Sequence, residues 1–361
     1  MSFDRLACAL AAVAAVAASG LAGCARDPAQ VSWDDAFDAA LREPPRQRSA
    51  AMHALAQSAP RVTDRGEADF ESAMALVEAA RASGEPPLEA ARAWADLTQR
   101  GARRVDRARA HYQLGRIAEE TGHLADAEAI DKACVLHFPD LMPGERSLAH
   151  LVRRARERGD AAMDALLDWL VAEPVVLDGP LADNVRYLEA DEAERRFRRD
   201  RDPRLGLEAQ RLYRAMADAY PESPLWNDAL WNLSILYHEA GRFDDEIAAI
   251  RRIQRSRVAV SLFGQNEHEY YWKGQLRIAR VQWLDLHRPR DAAQSYLDYR
   301  TMYPFTIRHD DMLFYAGCAL RAAGASPEAL WDELRKEFPD SKFVRRLPTP
   351  NERQCLPPEG S

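Results

Sequence analysis

Lysine is almost missing from this chain. Only Lys132, Lys273, Lys336 and Lys342 occur, so nearly all of the positive charge is arginine, and acids still outnumber bases to leave a net charge of −8. The arginine bias reads as genome composition, and a mildly acidic chain lacks the basic face that nucleic acid requires, so no nucleic-acid partner is expected. Strand signals are nearly absent too. Val175-Val176-Leu177 and Val258-Ala259-Val260 are short apolar runs between longer periodic segments, and no alternating stretch suggests a sheet. The chain has no Gly-rich phosphate loop, no Gly-x-Ser-x-Gly elbow and no Cys/His pair in a recognisable setting. Carboxylates are plentiful, but none is singled out as a catalytic pair. The expectation is therefore no enzyme, no catalytic residue, no cofactor and no resident metal.

What is present begins at the N-terminus. Arg5 supplies a positive start, weakened by Asp4, and Leu6 to Leu21 is an apolar run of Ala, Val and Leu. That run falls short of the ~20 residues a spanning helix needs and suits a cleaved signal peptide, residues 1–23. Leu21-Ala22-Gly23-Cys24 resembles a bacterial lipoprotein lipobox. The resemblance implies that the Cys24 thiol is lipidated and becomes the first residue of the mature chain. Acyl chains such as palmitate would then hold the protein to a membrane, since one chain alone binds only marginally. Ala25, where an Asp would signal inner-membrane retention in enterobacterial-type sorting, tilts the expected location to the outer membrane facing the periplasm. Residues 25–31 form a short tether that reaches about 25 Å. Loss of residues 1–23 removes Asp4 and Arg5 together, so the net charge is unchanged.

Residues 24–66 read as the tether and two short helices, around 33–41 and 49–57, with Glu43-Pro44-Pro45 between them. From Glu67 apolar residues recur at i, i+3, i+4 and i+7 in paired runs. The pairs are 67–83 with 87–99, 105–121 with 124–137, 144–158 with 160–173 and 181–199 with 205–220. Then follow 225–240 with 243–256, 266–287 with 290–303 and 309–323 with 326–338. Breakers inside the pairs are Pro86, Gly122, Gly159, Pro203, Gly241, Pro289 and Gly324, spaced 36, 37, 44, 38, 48 and 35 residues apart. A two-helix unit at that interval predicts an all-α fold, an α-solenoid of antiparallel helix pairs over 67–346. The Pro-rich stretch 347–361 cannot continue a helix and is expected to be a loose tail.

Residues 108–140 carry the pattern most fully: Leu114-Gly115 in the first helix, Gly122 at the turn, Ala127 in the second helix, and Phe138-Pro139 at its end. This resembles a tetratricopeptide repeat, departing at Ala118, where that family prefers an aromatic. A second copy, 226–253, keeps Leu233-Ser234, Tyr237 and Gly241, but Glu246 replaces the expected Ala. A third has Ala292, Tyr296 and Tyr303-Pro304, and a fourth has Gly317, Gly324, Ala329 and Phe338-Pro339. Together with Tyr213 and Tyr220-Pro221, residues 205–345 are similar to bacterial envelope repeat lipoproteins of the barrel-assembly and cell-division-coordinator families. The resemblance implies a TPR-like superhelix with a concave groove lined by the first helix of each pair, at offsets −3, +1 and +4 from the small residue. Those offsets place Tyr112, Arg116 and Glu119 in the groove, then Trp231, Ile235 and His238, then Arg277, Val281 and Leu284, counted from Arg280, which matches the small position poorly, then Phe314, Cys318 and Arg321. Tyr112, Arg116, Trp231, His238, Arg277 and Phe314 are the candidate partner-binding residues, being of the types that anchor interfaces. Trp231 and Phe314 are equally suited to packing between repeats.

Other clusters have plainer explanations. Asn266-Glu267-His268-Glu269-Tyr270-Tyr271-Trp272 lacks a second His four residues after the first, and reads as a helix N-terminus with aromatics turning inward. His309-Asp310-Asp311, and His238 with Asp244-Asp245-Glu246, read as caps and solvated faces rather than metal ligands. Arg195, Arg196 and Arg198 follow acids by three or four residues, which predicts a laced helix face. Cys134 and Cys318 lie in apolar helical patterns as packed thiols. The alternative for Cys318 is a bridge to Cys355 that ties down the tail. The overall expectation is a lipid-anchored scaffold that holds an envelope protein in its groove. Enzymatic and small-ligand alternatives remain, namely a lytic-transglycosylase-like superhelix or a ligand-sensing lipoprotein.

Overall fold

The computed structural model describes residues 27–255, 269–304, 308–347, 349–350 and 352–355. Cys24 and the proposed signal peptide lie outside them, as do Asn266, Glu267 and His268. Among the described residues there is no strand, and the fold is all-α. Helices α1 (Pro28–Leu41), α2 (Pro45–Ser58), α3 (Val62–Ser83), α4 (Leu88–Arg100) and α5 (Arg104–Glu120) are followed by α6 (Leu124–His137), α7 (Met142–Arg158) and α8 (Asp160–Ala172). With the single turn α9 (Pro174–Leu177) these make one compact unit, ending at Leu181. The second unit begins at Ala182. It holds α10 (Ala182–Asp200), α11 (Pro203–Ala219), α12 (Trp226–Glu239), α13 (Phe243–Arg255), α14 (Glu269–Leu284), α15 (Pro289–Met302), α16 (His309–Ala322), α17 (Glu328–Glu337) and α18 (Glu352–Cys355).

Within each unit every long helix packs on the helix before it and the helix after it, the arrangement of stacked hairpins. Local signals set the turns. Gly122 and Gly241 take left-handed backbone (φ 80° and 68°) immediately after a helix, which an L side chain resists. The residue after each glycine donates back into the last turn, His123 N–H to Ala118 O and Arg242 N–H to Tyr237 O, both at 2.8 Å. At the turns marked by Pro203 and Pro289 the left-handed position falls instead on Arg201 and His287 (φ 57° and 52°). The prolines sit at the first turn of the helix that follows, where a missing N–H costs nothing.

The small residues of the repeats are contact points. Ala127 is fully buried, and a β-carbon on Gly115 would lie 3.0 Å from Asp131 Oδ1. A β-carbon on Gly317 would collide with the ring of buried Trp331. The regular packing also begins before residue 67. Helix α3 lies along α2, with Ser49 and Ser72 hydroxyls 3.1 Å apart. Met52, Ala56 and Ala68 form a small core there, which Trp33 and Phe37 cover.

Two expectations are corrected. Cys318 is not a packed thiol: it forms a disulfide with Cys355, Cα–Cα 5.6 Å. The described part of the tail is correspondingly not loose. Cys355 is buried, and Arg321 donates to Pro350 O at 2.7 Å. A proline-rich segment whose described part holds only the single turn α18 can still be pinned by one covalent link and one guanidinium. Cys134 remains a buried free thiol, and burial pushes it up to about 11.

Candidate functional site

Of the six candidate partner-binding residues, three meet in the second unit. Trp231 and His238 project from α12, Arg277 from α14. The residue that joins them is Glu246 on α13, which has no solvent exposure. His238 Nδ1 donates to Glu246 Oε2 at 2.8 Å, and Arg277 Nε donates to Glu246 Oε1. The Arg277 guanidinium then lies over the Trp231 ring, 5.6 Å from its centroid. Trp231 also stacks on Tyr270, with centroids 4.7 Å apart and planes within 14°. The α13–α14 approach that makes this possible runs through Gly274, where a β-carbon would come within 2.6 Å of Ile250.

The result is an aromatic–cation surface held from below by a buried acid. A carboxylate without solvent is costly unless it is paired and hydrogen-bonded, and here two donors meet both of its oxygens. Trp231, Tyr270, His238 and Arg277 all remain partly accessible. The substitution of Glu246 for the repeat's small residue, a departure in the sequence, is thus what positions the surface.

In the first unit Tyr112 and Arg116 sit on α5. The Tyr112 ring lies 5.3 Å from His150, with the Arg146 guanidinium 6.0 Å from its centroid. Arg116 donates to Glu119 Oε2 at 2.9 Å. Glu119 also pairs with Arg153 and Arg154. Burial raises its proton affinity, but the three guanidiniums outweigh that and hold it below the usual carboxylate range. These side chains form a charge-laced polar face, each already partnered.

Phe314 is a correction. It is completely buried, packed against Tyr315 and Phe343, with Arg346 over its ring. The segment after α17 folds back and covers the −3 position of the last hairpin, so Phe314 offers no surface to a partner. A repeat offset has no means of registering a covering segment some thirty residues downstream.

The other clusters serve the fold. Arg195 and Arg196 bond Glu192, and Arg198 bonds Glu194 and Glu239, which is the laced face that the spacing predicts. His309 Nε2 lies 3.0 Å from Tyr303 O, and Ser341 donates to Asp310 at 2.6 Å. Among the described residues no group of three or more His, Cys, Asp or Glu is placed to hold a metal. Within the aromatic run at the start of α14, Tyr271 turns inward and is buried. Tyr270 stacks on Trp231, and Trp272 carries Arg308 at 5.5 Å. Tyr270 and Glu246 are the site residues that the groove offsets miss. The density of aromatics at the start of α14 is the available signal for Tyr270.

Two histidines of the first unit carry a pH prediction. Burial, aided by His137, lowers His111, and burial lowers His150. Both are held below their unfolded values, so below about pH 6.5 the unfolded chain takes up protons that the native unit refuses. Stability contributed by the neutral rings is therefore present above that pH and is lost as pH falls towards the folded values. Urea midpoints followed from pH 7.5 to 5 are expected to fall. The slope is expected to flatten in His111→Leu/His150→Leu, and an unchanged slope in that variant would refute the assignment.

No family model matches the sequence, and no curated protein matches it. Among solved structures the chain is similar to PilW, a widely conserved type IV pilus biogenesis factor. The identity is 16% over 67% of this chain and 98% of that one, with a TM-score of 0.32. It is also similar to BtubC (BKLC) from P. vanneervenii, at 14% identity over 79% of this chain and 94% of that one, with a TM-score of 0.31. Likeness this distant carries no argument about partners or activity.

Proposed function

We propose that this protein is a non-enzymatic interaction scaffold of a bacterial envelope, anchored by acyl groups at Cys24. In this reading it holds an envelope protein on the surface built from Trp231, Tyr270 and Arg277. The carrying observation is Glu246: a fully buried carboxylate committed to fixing one arginine and one histidine beside a stacked tryptophan. Large side chains held in place before contact lose little entropy on binding, and Trp, Tyr and Arg are the usual anchors of interfaces. No helix among the described residues is long and apolar enough to cross a membrane, so attachment in this reading rests on Cys24. The sequence pattern around Ala25 favours the outer membrane facing the periplasm. Outer-membrane protein assembly or cell-wall and division coordination is the process that the repeat resemblance implies.

The test is fractionation followed by crosslinking. Wild type should partition with membranes and Cys24→Ser should be released. A stoichiometric envelope partner should crosslink to wild type and be lost in Trp231→Ala/Arg277→Ala. Glu246→Gln, which weakens the anchor without trimming the surface, should give an intermediate loss. Release of wild type into the soluble fraction would remove the anchor, and full retention of the partner by the double variant would remove the site.

A further inference from the structure

In the last hairpin of the second unit the chain itself takes the groove positions. Phe314, Cys318 and Arg321 follow one another at spacings of four and three, which puts them on one face of α16. Each meets the returning C-terminal segment. The Phe343 ring stands 4.8 Å from Phe314, Cys355 is bonded to Cys318, and Arg321 donates to Pro350 O at 2.7 Å. Trp231, His238 and Arg277, at the groove positions of earlier hairpins, remain partly accessible.

Arg321 is the informative residue. The groove arginines of earlier hairpins are neutralised by acids, Arg116 by Glu119 and Arg277 by Glu246. Among the described residues Arg321 has no carboxylate partner. Its guanidinium lies 5.6 Å from the centre of the Trp331 ring, bonds Pro350 O, and places Nη2 3.3 Å from Cys355 Sγ. A half-buried positive charge does little for a neutral disulfide. It does much for a thiolate, the form in which a cysteine sulfur attacks or departs. The contact falls on the Cys355 sulfur, so the two ends of the bridge are chemically unequal.

We propose that the Cys318–Cys355 bridge is a site of thiol–disulfide exchange whose substrate is a dithiol, and that the segment carrying Pro350 and Cys355 is a strap which the exchange releases. One thiolate of the dithiol attacks Cys318 Sγ. The bond between the two cysteines breaks, and its electron pair leaves on Cys355 Sγ beside Arg321. The second thiol of the reductant then displaces Cys318 and closes the reductant's own disulfide. In sum, two electrons and two protons pass from the dithiol to the two cysteines. Both residues are buried while the bridge is closed, so exchange waits on the lifting of α18, a single turn. Opening frees the Cys318 and Arg321 positions of the groove. The assignment goes beyond the scaffold reading and does not depend on the Trp231 surface, so partner capture is not among its readouts.

The test treats the full mature chain, carrying Cys24→Ser, with dithiothreitol in the absence of denaturant. Opening is timed by the gel shift that a maleimide-linked polyethylene glycol gives on each freed thiol. Cys318 and Cys355 should both become reactive while far-UV circular dichroism holds, and trypsin should cut after Arg353 faster than before reduction. Arg321→Gln should slow opening about tenfold, and Arg321→Lys, which keeps the charge, should recover most of the rate. A purely structural Arg321 predicts the reverse, because loss of its bond to Pro350 loosens the strap and speeds reduction. In urea, where the guanidinium no longer stands beside the sulfur, all three proteins should open at one rate. With a brief pulse of 2-mercaptoethanol the trapped adduct should sit on Cys318. A bridge that opens only in urea would overturn the proposal and leave a structural staple. So would Arg321→Gln opening as fast as its parent or faster, a rate difference that persists in urea, or an adduct confined to Cys355.

Discussion

Asp131→Ala is expected to destabilise the first unit by about 3–5 kcal/mol, the cost of stripping one partner from a buried ion pair. Asp131 on α6 has no exposure, and its partner Arg154 on α7 is only 7% exposed at the side chain. Burial pushes the Asp131 carboxyl upward, and the Arg154 guanidinium pulls it back. Removing the acid leaves the buried guanidinium with Glu119 alone, 3.5 Å away, as its ion-pair partner. The pair as a whole is a different matter, since two charges taken from water gain little over a well-packed apolar pair. Asp131→Leu/Arg154→Met should therefore recover most of the loss. Urea unfolding of the three proteins checks both statements. A loss in the single variant of under about 1 kcal/mol, the level of an exposed pair, would show that Arg154 escapes to solvent.

Reduction of the Cys318–Cys355 bridge is expected to cost the second unit about 2–4 kcal/mol. The bridge closes a loop across 37 residues, and a link over that span removes much of the entropy of the unfolded chain. The loss should be local, because the bridge pins the segment that buries Phe314 and Trp331 lies beside it in the same core. Amide exchange with and without reductant is the measurement. Protection should fall in α16 and α17, with α3 to α7 unaffected. Cys134, buried and held largely as the thiol, should resist alkylation in the folded protein in both states. Equal exchange protection with and without reductant would mean that the tail is held by Arg321 and packing alone.

The helical runs were legible because periodicity is a local property. Each predicted pair from 67 to 338 corresponds to two observed helices, with ends differing by a few residues. The laced arginines of α10 followed from spacing alone for the same reason, as acid and base three or four apart share a face. The site was legible in part. The offsets name Trp231, His238 and Arg277, which the structure brings together, but not their junction at Glu246, because it joins three helices. Phe314 failed for the complementary reason: its exposure depended on residues 343 and 346, which no repeat offset includes.

By itself the amino-acid order determined the hairpins, their turns and the small residues where helices touch, since these follow from backbone geometry and side-chain size within some forty residues. Only tertiary packing decided which of the offset positions stay accessible and which acid ends up without water. Those outcomes depend on what a neighbouring helix brings to the same place, and distance along the chain does not encode distance in space.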